Sequence, residues 1–212
     1  MALNIQIMAV TPFRQNCTLL WCDQTRDAVL IDVGGDVDFV WQQVRDLGVN
    51  LQAVWLTHGH LDHAGGVPAL LERAVVPVLG PHIEDDFLLQ SLPEKTASYG
   101  FPVCPAFVPT RYLNESDSMM LGEYRFDVWH IPGHTPGHLV FYCAAQNLLI
   151  AGDVLFHESI GRTDFPRSNH QALLEGIRDK LYVLPDETVV LPGHGRTTTI
   201  GHEKQHNPFV QP

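Results

Sequence analysis

The stretch Thr57-His58-Gly59-His60-Leu61-Asp62-His63 follows an apolar run, Leu51 to Leu56, that reads as a buried strand. It has the form H-x-H-x-D-H. Residues two apart at a strand end point to the same side, and the next pair falls where a helix would begin. The motif therefore offers two separate sets of metal ligands. Imidazole and carboxylate are ligands of zinc, iron and manganese, and the lack of cysteine here favours these ions over copper(I) or an iron–sulfur cluster.

Three further residues of metal-binding type stand after strand-like runs: His134 in PGHTPGH, Asp153 in LLIAGDV and His194 in VVLPGHG. Taken singly, a loop histidine is most often an exposed polar group, and an aspartate after a strand is most often a turn or cap. Taken together they read differently. Four separate strand ends, each delivering such a residue beside glycine, fit one shared metal centre better than four unrelated caps.

Around these points the chain alternates short apolar runs with amphipathic segments. Leu3 to Val10, Cys17 to Trp21 and Ala28 to Val33 are expected strands. From Asp36 to Leu47, Val37, Val40, Trp41, Val44 and Leu47 recur at helical spacing, with Asp36 as a start signal and Gly48 as a stop. THGHLDH is expected to enter a helix reaching about Arg73. The proline-rich span from Val76 to Met119 reads as a short strand, a helix around Ile83 to Leu89 and a long irregular excursion. Strands follow at Tyr124 to His130, Leu139 to Ala144 and Leu148 to Ala151, then a helix from Asn169 to about Leu184 and a last strand, Thr188 to Leu191. Strand runs interspersed with helices describe a two-sheet α+β core with helices outside, expected as a single domain over residues 1–212.

Composition narrows the function classes. The chain has 212 residues, 45% of them hydrophobic, so it can build a core without disulfides or a structural metal. Cys17, Cys22, Cys104 and Cys143 form no C-x-x-C pair and read as buried thiols. The formal net charge of −11 argues against nucleic acid or an anionic membrane as partner. No leader-like N-terminus and no membrane-spanning apolar run is visible, so a cytoplasmic location is expected.

These motifs, over nearly the whole chain, resemble the metallo-β-lactamase-fold superfamily, which implies a four-layer αββα sandwich with the active site at the strand ends between the sheets. By that resemblance His58, His60 and His134 would hold one metal, Asp62, His63 and His194 a second, and Asp153 would bridge them. Asp62 would also orient the attacking water, which makes it the expected catalytic residue. The implied cofactor is zinc, one or two ions per chain, with iron or manganese as alternatives. An aspartate, not a cysteine, at the bridging position resembles the glyoxalase II branch. The GRTDFPRSNHQALLEGIRDKL stretch, Gly161 to Leu181, resembles the compact bacterial hydroxyacylglutathione hydrolases, without the C-terminal helical substrate domain of larger members.

That branch implies hydrolysis of S-(2-hydroxyacyl)glutathione thioesters, with a small-molecule glutathione thioester as the partner. A thiolate, with a reference pKa near ~8.5, leaves without protonation. An iron-dependent persulfide dioxygenase of the same superfamily also resembles the GRTDF stretch and stands as the alternative; a lactonase is a weaker one. A purely structural metal module fits less well, because such sites are closed by four ligands. Arg162 reads as an ion pair with Asp164 more readily than as a substrate contact. His82, His130, His138, His157, His170, His202 and His206 read as surface, capping or supporting residues, and Tyr112 and Phe165 as packing.

Overall fold

The computed structural model describes residues 2–212. In chain order the elements are β1 (Leu3–Val10), β2 (Gln15–Cys22), β3 (Asp27–Ile31), α1 (Val37–Leu47), β4 (Asn50–Trp55), α2 (Leu61–Ala64), α3 (Val67–Leu71), β5 (Val78–Leu79), α4 (Asp86–Gln90), α5 (Leu92–Tyr99), β6 (Ser118–Leu121), β7 (Tyr124–His130), β8 (Leu139–Cys143), β9 (Leu148–Gly152), β10 (Leu155–Phe156), β11 (Ser159–Ile160), α6 (His170–Gly176), β12 (Val189–Pro192), β13 (Thr198–Thr199) and α7 (Ile200–His206). One sheet has the order β1-β2-β3-β4-β5, the other β13-β12-β9-β8-β7-β6, and β10 and β11 form a small ribbon.

Strand parity explains the layering. Successive side chains on a strand face opposite sides, and here both sides of the central strands are apolar. On β2 and β3, Cys17, Leu19, Ala28 and Leu30 face one core with α1, while Leu20, Cys22, Val29 and Ile31 face the second sheet. On β8 and β9, Phe141, Cys143, Leu148 and Ile150 face the first sheet, while Val140, Tyr142, Leu149 and Ala151 pack against Leu173, Ile177, Leu181 and Ile200 outside it. Three cores between four layers make the αββα sandwich expected from the sequence. Between the sheets Trp55 meets Phe126 and Phe141 edge-on, with ring centroids 5.1 and 5.8 Å away.

The sheet directions place the motifs. β7 and β9 each run antiparallel to β8, and β12 runs parallel to β9, so β7, β9 and β12 share one direction. Their carboxyl ends precede His134, Asp153 and His194. The carboxyl end of β4 precedes His58.

Several expectations are corrected. Asp36 does not cap α1; its carboxylate accepts a hydrogen bond from Thr11 N–H at 2.7 Å instead, whereas Gly48 closes the helix at φ 62° as expected. The helix after THGHLDH breaks into α2 and α3, because Gly66 donates its N–H to Val33 O at 2.8 Å and leaves no room there for a side chain. In the proline-rich span α5 forms, with Pro93 in its first turn, where a missing N–H is harmless. The short strand β6 pairs with β7, and β13 and α7 follow His194; none of these was read from the sequence. The helix from Asn169 is capped by that side chain but widens into a π-type turn over Ile177–Leu181. Among the described residues, no helix is long and apolar enough to cross a membrane.

Phe141 is fully buried at the centre of the two sheets. Phe141→Ala is expected to lower the unfolding free energy by ~3–5 kcal/mol, read from urea titrations of the chelator-treated protein beside the parent.

Candidate metal centre

All seven residues singled out in the sequence converge on the shared edge of the two sheets. His58, His63, His134 and Asp153 are buried, and His60, Asp62 and His194 are partly so. The ligand atoms fall into two groups. His60 Nδ1 lies 3.0 Å from both His58 Nε2 and His134 Nε2. In the other, Asp62 Oδ2 lies 3.1 Å from His194 Nε2 and 3.8 Å from His63 Nε2. Asp153 faces both: its Oδ2 is 3.4 Å from His134 Nε2 and 3.7 Å from His194 Nε2, and its Oδ1 is 3.4 Å from His63 Nε2.

The arrangement suits a cation-binding site. Three imidazole nitrogens pointed at one spot cannot satisfy one another, since each neutral ring has only one N–H. His63 Nε2 and Asp153 Oδ1 are buried with no hydrogen-bond partner, a costly arrangement unless another group completes it. Gly193 matters for the same reason: a Cβ there would stand 2.2 Å from Asp153 Oδ1 and 2.7 Å from His63 Cε1, inside the centre. The donor set fits a divalent ion.

The far sides of four of the five rings are fixed by the protein. His134 Nδ1 donates to Arg162 O at 2.8 Å, and His194 Nδ1 donates to Phe13 O at 3.2 Å. His63 Nδ1 meets Asp32 Oδ2 at 2.9 Å, and His58 Nδ1 meets Thr57 Oγ1 at 3.0 Å, whose hydroxyl donates to Asp32 Oδ2 at 2.7 Å. A ring whose remote nitrogen is the donor turns a lone pair towards the centre, which sets both tautomer and orientation.

Charge follows from burial and neighbours. Burial and the adjoining rings hold His58 well below the ordinary histidine value, and push His60 down to about 3. Burial also lowers His63, but the Asp153, Asp62 and Asp32 carboxylates outweigh it and hold that ring well above its usual value. Burial pushes Asp62 and Asp153 up, yet His63, with His194 and other nearby rings, wins and keeps both ionised. Neutral rings on one side and ionised carboxylates on the other suit an added positive charge.

Two supporting residues, Asp32 and Asp85, escaped the sequence reading, and His138 takes the supporting place read for it. Asp32 ends the apolar run of β3 at φ 56° and is buried; an aspartate immediately after a strand and before Gly34-Gly35 was the available signal. Asp85 is fully buried and ties two ligand loops together, accepting from Gly59 N–H at 2.9 Å, Thr135 Oγ1–H at 2.7 Å and Gly137 N–H at 2.6 Å. Burial pushes its carboxyl up to about 6, against those three donors. Nothing in its local sequence announces this. His138 lies behind the centre, with its ring stacked 4.6 Å from His58 and its Nε2 accepting from Asp153 N–H at 3.0 Å. Phe165 packs on His60 and His134, with ring centroids 4.8 and 5.5 Å away. Arg162 pairs with Asp164 at 2.8 Å, as expected. In a separate group, His157, His202 and Glu203, the Glu203 carboxylate accepts hydrogen bonds from the Thr198 hydroxyl, the Asn207 amide and the Glu158 N–H.

Residues 10–194 match the model of the metallo-beta-lactamase superfamily. The chain belongs to that superfamily. It is 44% identical over 209 residues to hydroxyacylglutathione hydrolase GloC of Haemophilus influenzae, covering 98% of both chains. It is also similar to the crystal structure of BLEG-1, named a B3 metallo-beta-lactamase, with a TM-score of 0.90 and 34% identity over 99% of this chain and 100% of that one. The di-iron-bound form of TTHA1623 aligns with a TM-score of 0.88 and 34% identity, over 97% of this chain and 100% of the other.

Two substitutions probe the support. Asp32→Asn is expected to weaken metal binding roughly 10–100-fold, measured by competition with a chromogenic chelator. Asp85→Ala leaves the buried Gly59 and Gly137 N–H groups unpaired, and is expected to cost ~2–6 kcal/mol at ~1–3 for each orphaned donor, measured by urea unfolding of the metal-free protein.

Proposed function

We propose that this chain is a metal-dependent thioester hydrolase acting on S-(2-hydroxyacyl)glutathiones, typified by S-lactoylglutathione, and releasing glutathione and a 2-hydroxy acid. The observation that carries this reading is the near full-length likeness to hydroxyacylglutathione hydrolase GloC. The convergence of both ligand groups supports it, because a single-iron dioxygenase needs only two histidines, a carboxylate and open positions.

His58, His60 and His134 would hold one ion and Asp62, His63 and His194 the other, with Asp153 between them. A divalent ion held there would acidify its bound water to a pKa of ~7 and polarise an acyl carbonyl. Asp62, kept ionised beside His63 and His194, accepts a hydrogen bond from the attacking water and aims its lone pair at the thioester carbon. The C–S bond then breaks with its electron pair on sulfur, and a thiolate with a pKa near ~8.5 needs no general acid. Phe165 forms an apolar wall beside His60 and His134 that keeps bulk water off the reacting carbonyl. Zinc is the proposed ion, as the all-nitrogen-and-oxygen donor set suits it; iron is the first alternative, since TTHA1623 has a di-iron-bound form.

Purified protein of known metal content, given S-lactoylglutathione, is expected to consume the thioester absorbance without oxygen uptake. Chelator treatment should abolish turnover and added zinc restore it. Asp62→Ala should reduce kcat by at least roughly 10²-fold. Oxygen uptake on glutathione persulfide with an intact thioester would assign the dioxygenase instead, and turnover of a β-lactam alone would assign a lactamase.

A further inference from the structure

We propose that Arg14 and Arg196 form a carboxylate-binding site for the glutathione portion of the substrate, an assignment that rests on the thioester reading above. The two side chains line a cavity of about 460 Å³ together with Phe13, Asn16, His194 and Gly195. His194 belongs to the metal centre, so the cavity adjoins the place where the acyl group reacts.

Arg14 comes from the turn between β1 and β2, and Arg196 from the loop after β12. These segments are stitched together by hydrogen bonds. Asn16 N–H donates to Gly193 O at 2.7 Å, and the Asn16 side chain donates to Pro192 O at 3.0 Å and Gly195 O at 2.8 Å. His194 Nδ1 reaches Phe13 O at 3.2 Å. The two arginine-bearing backbones are thus fixed relative to each other and to His194.

Neither side chain forms an ion pair with a carboxylate among the described residues, although, after the His202 hydrogen bond, the Arg196 charge helps lower the nearby Glu158 carboxyl. The chain carries 24 acidic against 13 basic residues, and Arg73, Arg111, Arg125 and Arg162 each pair with an aspartate. The Arg196 Nη2 group meets His157 Nε2, and the remaining guanidinium N–H groups of Arg196 have no hydrogen-bond partner among the described residues. A guanidinium presents a planar fork of donors matched to a carboxylate, and glutathione carries two carboxylates at its ends. Two such forks beside the reacting centre select an anionic thiol portion that net repulsion from an acidic protein would otherwise disfavour.

The test compares S-lactoylglutathione with its dimethyl ester, which keeps the thioester and removes both carboxylates. The quantity read is the ratio of kcat/KM for the two, in the parent, in Arg14→Gln, in Arg196→Gln and in the double variant, with Arg125→Gln on β7 as the control. The ratio is expected to fall roughly tenfold to a hundredfold in the double variant and less in either single variant, while the control keeps the parent ratio. An unchanged ratio in the double variant, with S-lactoylglutathione still turned over by the parent, overturns the arginine site and leaves the hydrolase reading standing. A parent that hydrolyses neither thioester overturns both.

Discussion

The buried Asp32 carboxylate accepts hydrogen bonds from the Thr57 N–H, the Thr57 hydroxyl and the His63 ring, and through Thr57 it also sets the His58 ring. One residue at the end of β3 thus orients a histidine in each of the two ligand groups. Burial makes this contact count: in a low-dielectric interior an ion with several donors is firmly held, whereas the same ion with a donor missing is costly. Asp85 does the corresponding work from the other side, joining the Gly59 turn to the Thr135–Gly137 loop. The ligand geometry is therefore carried by two carboxylates that are not among the seven proposed ligands.

The sandwich makes room for such a centre only at its edge. Between the sheets, Trp55, Phe126 and Phe141 fill the space and exclude polar groups. At the carboxyl ends of β4, β7, β9 and β12 the backbone leaves the sheets, and polar side chains can converge without disturbing the apolar layers. Each sheet contributes part of the donor set, so the centre forms only when both sheets are packed. A divalent ion there would in turn link the two sheets, coupling binding to folding.

The acidic balance of the chain gains a local meaning at this edge. Carboxylates dominate overall and dominate around His63, where they sustain a positive charge. On the rim beside His194 the exposed side chains Arg14 and Arg196 reverse that sign. An acidic protein with cationic groups at one opening directs anionic small molecules to that opening rather than binding polyanions over its whole surface.

The sequence by itself determined the layered architecture and the seven proposed ligands. Strand parity and helical spacing are local properties, and H-x-H-x-D-H, PGHTPGH, AGD and PGHG each carry a recognisable residue beside glycine. The same local logic missed α5, because prolines that read as irregular chain are tolerated in a helix's first turn, and it missed β6 and β13, which are short and take their definition from their pairing partners. It also ran one helix through Gly65-Gly66, where packing against Val33 and Gly35 splits it. Only the tertiary structure decided which residues support the ligands. Asp85 stands 26 residues from Gly59 and 52 from Gly137 in the chain, and Arg14 stands far from Arg196. No local pattern encodes such contacts, because they arise from two sheets meeting at an edge.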